Sequence, residues 1–266
     1  MKKTKRVVAL FMALALAVSM AMLSACGGSS SSGNNNANAP KVYTIATDTT
    51  FAPFEFQNSE GNYVGIDMDI LAAVAADQNF QYTVNALGFD AALQALSSGQ
   101  ADGVIAGMSI NDTRKKVFDF SEPYYDSAVV MGISASDDTI KTYDDLKGKK
   151  VAAKTNTEGL AFAQSIQGQY GFSIVVFKDS PTMYQDVVAG NSQACFEDYP
   201  VLAYGITQGV GLKIVTDKER GSSYGFAVAK GQNAELLQKF NAGLANIKAN
   251  GKYQAILDKW LGKQTS

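Results

Sequence analysis

From residue 41 onward, short runs rich in β-branched and aromatic residues alternate with longer stretches whose apolar positions recur every three or four residues. VYTIAT (42–47) predicts a strand, and IDMDILAAVAADQ (66–78) predicts a helix with Ile70, Leu71, Val74 and Ala75 on one face. YTVNAL (82–87) reads as the next strand. FDAALQALSSG (89–99) sets Phe89, Leu93 and Leu96 at helical spacing and stops at Gly99, and ADGVIAGM (101–108) supplies a third strand. After residue 133 the alternation starts again: strand VAAKT (151–155), helix GLAFAQSIQGQY (159–170), strand SIVVF (173–177), helix PTMYQDVVAG (181–190), strand ACFED (194–198). Ser180 is the expected N-cap of the second of these helices, with Pro181 in its first turn. GSSYGFAVAK (221–230) reads as one further strand, and two amphipathic helices, 236–247 and 253–261, close the chain without a sheet of their own. This order implies an α/β fold with mostly parallel strands.

The first 25 residues do not fit that pattern. Lys2, Lys3, Lys5 and Arg6 precede an unbroken apolar run from Val7 to Met22 and then small residues, the layout of an export signal. LSAC (23–26) resembles the bacterial lipobox, in which cleavage before Cys26 frees it for lipid attachment, and the Gly, Ser and Asn tract that follows to residue 40 reads as a flexible tether. The alternative is an ordinary secretory peptide with an incidental cysteine. The expected division is therefore a signal at 1–25, a lipidated Cys26 and tether at 26–40, and a folded part at 41–266.

Loss of the leader removes four positive charges, leaving 19 basic residues against 25 acidic ones, a balance that argues against a nucleic-acid partner. Histidine is absent, so the commonest general base and metal ligand are missing. Cys195 is the only thiol after Cys26, which excludes both a disulfide within the folded part and a thiolate zinc site. No cofactor or metal is expected.

Four motifs in register then carry a resemblance. DTTFAPFEF (48–56), GIDMD (65–69), GMSINDTR (107–114) and FSEPYY (120–125), with a closing GKY (251–253) and KWLG (259–262), resemble the periplasmic amino-acid-binding proteins of ABC importers, solute-binding family 3 with the type II periplasmic-binding-protein fold. The resemblance covers nearly all of the mature chain. It implies a two-lobed clamp, each lobe a mixed, mostly parallel sheet flanked by helices, with lobe 1 at 41–125 and 226–266, lobe 2 at 129–222, and hinge crossings at 124–128 and 223–226. It also implies a monomer, tethered outside the cell membrane, that hands a free amino acid to permease subunits driven by a cytoplasmic ATPase.

A free amino acid needs an anion for its ammonium, a forked cation and backbone donors for its carboxylate, and an adjustable wall for its side chain. By the resemblance, Arg114 forks onto the carboxylate, held by a turn that Asn111 and Asp112 begin; Lys115 and Lys116 read as solvated. TNTE (155–158) lies at a strand-to-helix turn, where Thr157 and Glu158 bring N–H groups to the same carboxylate. Thr155 and Glu158 also fit a capping box, so the Glu158 side chain is expected to cap the helix. Asp198 matches the ammonium-binding aspartate, with the Ser109 hydroxyl and the Ala106 or Gly107 carbonyl beside it, although capping ahead of Pro200 would explain it too. Phe51 and Phe89 match aromatics that enclose the ligand, while Met108 and Cys195 read as packing residues. Asp48, Lys154 and Glu197 occupy positions that surround the end of the ligand side chain in relatives. Lysine with aspartate suits a carboxamide, which favours glutamine; two carboxylates would instead suit arginine or lysine.

Two readings of other classes stand beside this one. The resemblance includes a few dehydratases on the same fold, and Glu158 or Glu197 could act as a general acid, but the missing histidine stands against an enzyme and none is expected. A sensor ectodomain is disfavoured because no second membrane segment follows.

Overall fold

The structure, a computed structural model, describes residues 41–263. The leader, Cys26 and the tether lie outside the described residues. Among the described residues, no helix is long and apolar enough to cross a membrane.

The chain opens with β1 (Val42–Thr47), whose Tyr43 and Ile45 are buried. A small antiparallel sheet follows, of β2 (Thr50–Phe51), β3 (Glu55–Gln57) and β4 (Tyr63–Val64). It leads into helix α1 (Ile66–Asp77), which buries Ile70, Leu71, Val74 and Ala75 as the periodicity requires. Gly65 precedes this helix with φ 135°, and a Cβ there would sit 2.1 Å from the Phe54 carbonyl oxygen. Only glycine permits that approach, which lets Ile66 N and Asp67 N donate to Pro53 O and Phe54 O, both at 2.9 Å. β5 (Gln81–Ala86), helix α2 (Phe89–Ser97), β6 (Gly103–Val104), the single turn α3 (Asp112–Lys115) and β7 (Phe118–Phe120) complete the first passage.

The chain then crosses on a long strand, β8 (Tyr125–Ser134), into a second sheet made of β9 (Lys150–Lys154), β10 (Ser173–Phe177), β11 (Ala194–Asp198), β12 (Leu212–Ile214) and β13 (Glu219–Tyr224). Helices α4 (Glu158–Tyr170), α5 (Ser180–Val188) and α6 (Tyr199–Thr207) cover it. After Tyr224 the chain returns to the first sheet as β14 (Ala227–Ala229) and ends in α7 (Ala234–Ala249) and α8 (Lys252–Leu261).

The two sheets are built alike. The first has the order β5-β1-β6-β14-β7 and the second β10-β9-β11-β8-β12, each with three parallel strands followed by antiparallel ones. Helices lie on both faces of each, so the central strands are buried on both sides. On the first sheet, α1, α7 and α8 share a core with Ile45 and Phe226, whose ring stacks on Phe240 at 4.4 Å between centroids. Phe89, Ala92 and Leu96 of α2 pack on the other face with Val104. On the second, Ala163 of α4 meets Val151 and Phe196, and Met183 and Leu202 of α5 and α6 meet Val130 and Ala152. Each fully buried side chain of this kind contributes about 1.5–3 kcal/mol relative to exposure.

Several elements differ from the sequence expectation. The long strand β8 shows no alternation because its buried middle, AVVMGI (128–133), is a continuous apolar run, as a strand buried on both faces must be. The expected strand at 221–230 is two strands in different sheets: β13 pairs with β8, and β14 sits between β6 and β7. The chain changes sheets at Gly225, where a Cβ would lie 2.8 Å from Ile110 Cδ1. The strand at 101–108 shrinks to Gly103–Val104, which pairs with β1 on one side and, at Val104, with β14 on the other. Asp179, not Ser180, is the N-cap of α5, its carboxylate accepting from Thr182 N at 2.8 Å.

Candidate functional site

The carboxyl ends of the parallel strands of both sheets converge on one narrow cavity, where an open α/β sheet presents its loops. Phe51, Phe89, Ala106, Gly107, Ser109 and Arg114 line it from the first lobe, and Lys154, Thr157, Glu158 and Asp198 from the second. All ten belong to the set singled out from the sequence. The remaining two, Asp48 and Glu197, were expected at the side-chain end but do not line the cavity.

Arg114 is aimed by its own turn. Asn111 caps α3 by accepting from Arg114 N at 2.8 Å, which fixes the backbone from which the guanidinium extends. Arg114 Nη1 donates to Ser109 O at 2.7 Å and Nη2 to Asn156 O of the second lobe at 2.6 Å, and the guanidinium lies 5.3 Å from the centre of the Phe89 ring. Of the five N–H bonds of a guanidinium, two are thereby used. Burial lowers its pKa while Glu158 and Asp198 oppose the shift, and the group stays charged. Lys115 and Lys116 are exposed.

Asp198 ends β11 and its side chain is not used as a cap. Its Oδ2 accepts from the Tyr224 hydroxyl at 2.5 Å, while its Oδ1 is buried without a partner. Burial, with Glu197 next, pushes its pKa up to about 7. A cation placed in the cavity would satisfy the lone oxygen and reverse that shift. The Asp67 carboxylate takes the Gly107 N–H at 2.8 Å. Gly107 itself has φ 50°, and a Cβ there would meet the Phe51 ring at 2.5 Å, so the aromatic wall rests directly on this backbone.

Lys154 is 1% exposed and its Nζ is bonded to Asp48 Oδ2 at 2.5 Å. The ammonium lies 4.5 Å from the centre of the Phe51 ring and 5.5 Å from that of Phe89. Burial opposes the charge, but Asp48 foremost and Glu197 after it turn the lysine pKa upward. Asp48 is set one layer back because its other oxygen accepts from Thr49 N at 2.6 Å. Glu197 is saturated where it stands: Ser180 Oγ at 2.6 Å, Tyr184 OH at 3.1 Å and Asp198 N at 2.9 Å all donate to it.

The capping box expected of Thr155 and Glu158 does not form. Thr155 N still continues the strand, donating to Phe177 O at 2.9 Å, so the helix begins two residues later with Thr157 as N-cap, its hydroxyl accepting from Leu160 N at 3.2 Å. The freed Glu158 carboxylate instead spans the cleft. It accepts from Asn111 Nδ2 of the first lobe at 2.6 Å and pairs with Arg220 Nε at 3.3 Å. Asn156 Nδ2 donates to Asp90 Oδ1 at 2.6 Å, a further bond between the lobes.

The sequence from residue 43 to 263 matches the family described as bacterial extracellular solute-binding proteins, family 3. This chain belongs to that family. A relative from Mannheimia haemolytica, named an arginine-binding periplasmic protein, is 33% identical over 222 residues, covering 82% of this chain and 90% of the relative. The second substrate-binding domain of Lactococcus lactis GlnP, solved in an open conformation, is 44% identical with TM-score 0.61, covering 85% of this chain and 99% of that one. An ancestral arginine-binding protein bound to glutamine is 35% identical with TM-score 0.78, covering 85% of this chain and all of that one (100%). The likeness in shape is greater to the ligand-bound structure although the identity is lower, in keeping with lobes that touch across the cleft.

Several cleft residues of this family-3 protein escaped the sequence reading. Tyr224 holds Asp198, accepts from Ser127 Oγ at 3.1 Å and packs edge-on against Phe54 at 5.0 Å. Its signal was an aromatic just before Gly225 in the expected crossing. Asn156 had one too, since asparagine is the residue that tolerates its left-handed φ of 57°. Asp90 and Arg220 carried none: Asp90 gains its partner, Asn156, only across the cleft, and Arg220 gains Glu158 from 62 residues away within the second lobe.

Proposed function

We propose that this chain is the extracytoplasmic binding component of an ABC importer, capturing a polar L-amino acid, with glutamine as the favoured ligand, and delivering it to membrane permease subunits. The observation that carries the amino-acid reading is a pair on one cavity: Arg114 with unused N–H groups, and Asp198 with an unpartnered carboxylate oxygen. These complement a zwitterion, the carboxylate on the first and the ammonium on the second. Contacts made from both lobes to one ligand favour the closed arrangement over an open one, which is how binding drives closure.

The Lys154 ammonium supports glutamine. One of its three N–H bonds goes to Asp48, leaving donors for a carboxamide oxygen. The carboxylates that a guanidinium or a second ammonium would require are occupied, Asp48 by Lys154 and Glu197 by Ser180 and Tyr184. Titration calorimetry on residues 41–266 with glutamine, glutamate, arginine, lysine and histidine tests this. Glutamine binding most tightly is expected; arginine or lysine binding more tightly overturns the glutamine reading. Recovery of a chemically altered ligand would replace transport by the dehydratase-type reading.

A further inference from the structure

Beneath the cavity, the first lobe buries two carboxyl groups with no cation bonded to either. Glu55 in β3 is 0% exposed and neither of its oxygens has a hydrogen-bond partner. Asp67, near the start of α1, is also 0% exposed, and its Oδ1 is without a partner. Its Oδ2, in contrast, accepts from Gly107 N and from the Tyr124 hydroxyl, each at 2.8 Å. The two residues are neighbours: Asp67 N donates at 2.9 Å to the carbonyl of Phe54, the residue before Glu55, and the two carboxyls act on one another. The charged groups that face them are Asp48 at the end of the first strand and Lys154 from the second lobe, and these two are bonded to each other. Tyr124 faces the pair as a neutral phenol, burial having raised its pKa further. Two adjacent carboxylates in a dry interior do not both ionise.

We propose that Glu55 is kept as a neutral carboxylic acid donating to Asp67 Oδ1, and that this shared-proton pair is a positioning element for the wall of the binding cavity. A single proton on Glu55 joins one of its oxygens to Asp67 Oδ1 and so accounts for two of the three orphaned oxygens, the third remaining as the uncharged carbonyl of the acid. The direction of the titration agrees: burial, then Asp67 and Asp48, raise Glu55 well above the carboxylate range, and burial pushes Asp67 up to about 6. The pair ties together three parts of the site. Asp67 holds the Gly107 N–H, and because the peptide is planar and trans the Ala106 carbonyl points the opposite way. Tyr124 stands next to the first crossing strand, and Glu55 is the register partner of Phe51. Like charges at this point would push apart the hairpin that carries the aromatic wall and the helix that holds Gly107.

A folded-state pKa raised above the unfolded value means that the proton's contribution to stability is fully present below the unfolded value and is lost as pH rises toward the folded one. Infrared spectroscopy of the wild-type protein should therefore show protonated carboxyls at neutral pH, and Glu55→Gln should remove one that Asp198→Asn leaves in place. The carboxamide donates the same bond without titrating. Its melting temperature should gain on that of the wild type as pH rises above the ordinary carboxylate range, with amino-acid affinity within about threefold of wild type. Asp67→Ala, which frees the Gly107 N–H, should weaken affinity by about tenfold or more. A wild-type infrared titration with no carboxyl attributable to Glu55, a Glu55→Gln melting difference independent of pH, or an amide variant that does not fold overturns the proposal. Only the affinity readout rests on the proposed amino-acid ligand, and the infrared and melting readouts stand without it.

Discussion

The Tyr224 hydroxyl donates to Asp198 Oδ2 at 2.5 Å, so the last residue of the second crossing strand holds the carboxylate that ends a strand of the second lobe. Tyr224 is 0% exposed, and its ring packs against Phe54 and stacks on Tyr125 at 6.1 Å. Tyr224→Phe keeps the ring and deletes the donor. A hydrogen bond to a charged group contributes about 1.5–3 kcal/mol, so ligand affinity should fall by about one to two orders of magnitude with little loss of ring packing. Calorimetry beside circular dichroism would check both halves.

The raised pKa of Asp198 sets a pH dependence with opposite signs for folding and for binding. The neutral form favours the fold, so that contribution is complete below the unfolded value and disappears as pH rises through about 7. Capture of an ammonium group needs the anion. Affinity should therefore weaken as pH falls below about 7, approaching tenfold per pH unit. Calorimetry across that range would measure the slope, and Asp198→Asn should bind weakly at every pH with no slope.

The Lys154 and Asp48 pair is 2% and 3% exposed in its side chains, so removing one partner leaves a buried charge alone. Asp48→Asn or Lys154→Met should each cost about 3–5 kcal/mol in urea denaturation. The double variant should recover most of the stability and none of the selectivity, because the donor on the cavity wall is gone. Equal loss in the double and single variants would contradict this account.

Arg114→Ala should weaken amino-acid binding by about 2–5 kcal/mol, the range for stripping one partner from a buried charge pair. Lys116→Ala, two residues away and exposed, should be nearly silent. The contrast between neighbours guards against a general effect of lowered positive charge.

The sequence revealed the elements whose residues signal locally. Ile70, Leu71 and Val74 repeat at helical spacing, and Arg114 follows an asparagine that caps its turn, so both the helix and the aim of the arginine could be read in advance. Features decided by distant neighbours could not. TNTE offers two threonines as caps, and Phe177 O from the adjacent strand selects the second by holding Thr155 N. Lys154 was expected to serve the ligand together with Asp48; that the two are bonded to each other depends on residues 106 positions apart in the chain. Glu158 turned from cap to bridge for the same reason, since its partners Asn111 and Arg220 come from elsewhere in the sequence.

The return of the chain after Tyr224 also has a kinetic meaning. The second sheet draws on one uninterrupted stretch of chain, whereas β14 enters the first between β6 and β7 from far along the sequence. Closing so long a loop carries a large entropic cost and slows the pairing that depends on it. The second lobe can therefore complete its hydrogen-bonded ladder first, and pulsed hydrogen exchange during refolding should protect β9 and β11 before β6 and β7. The half that carries Phe51, Phe89 and Arg114 is the later one to assemble, and during that interval the protein exists as a single finished lobe with nothing to close against.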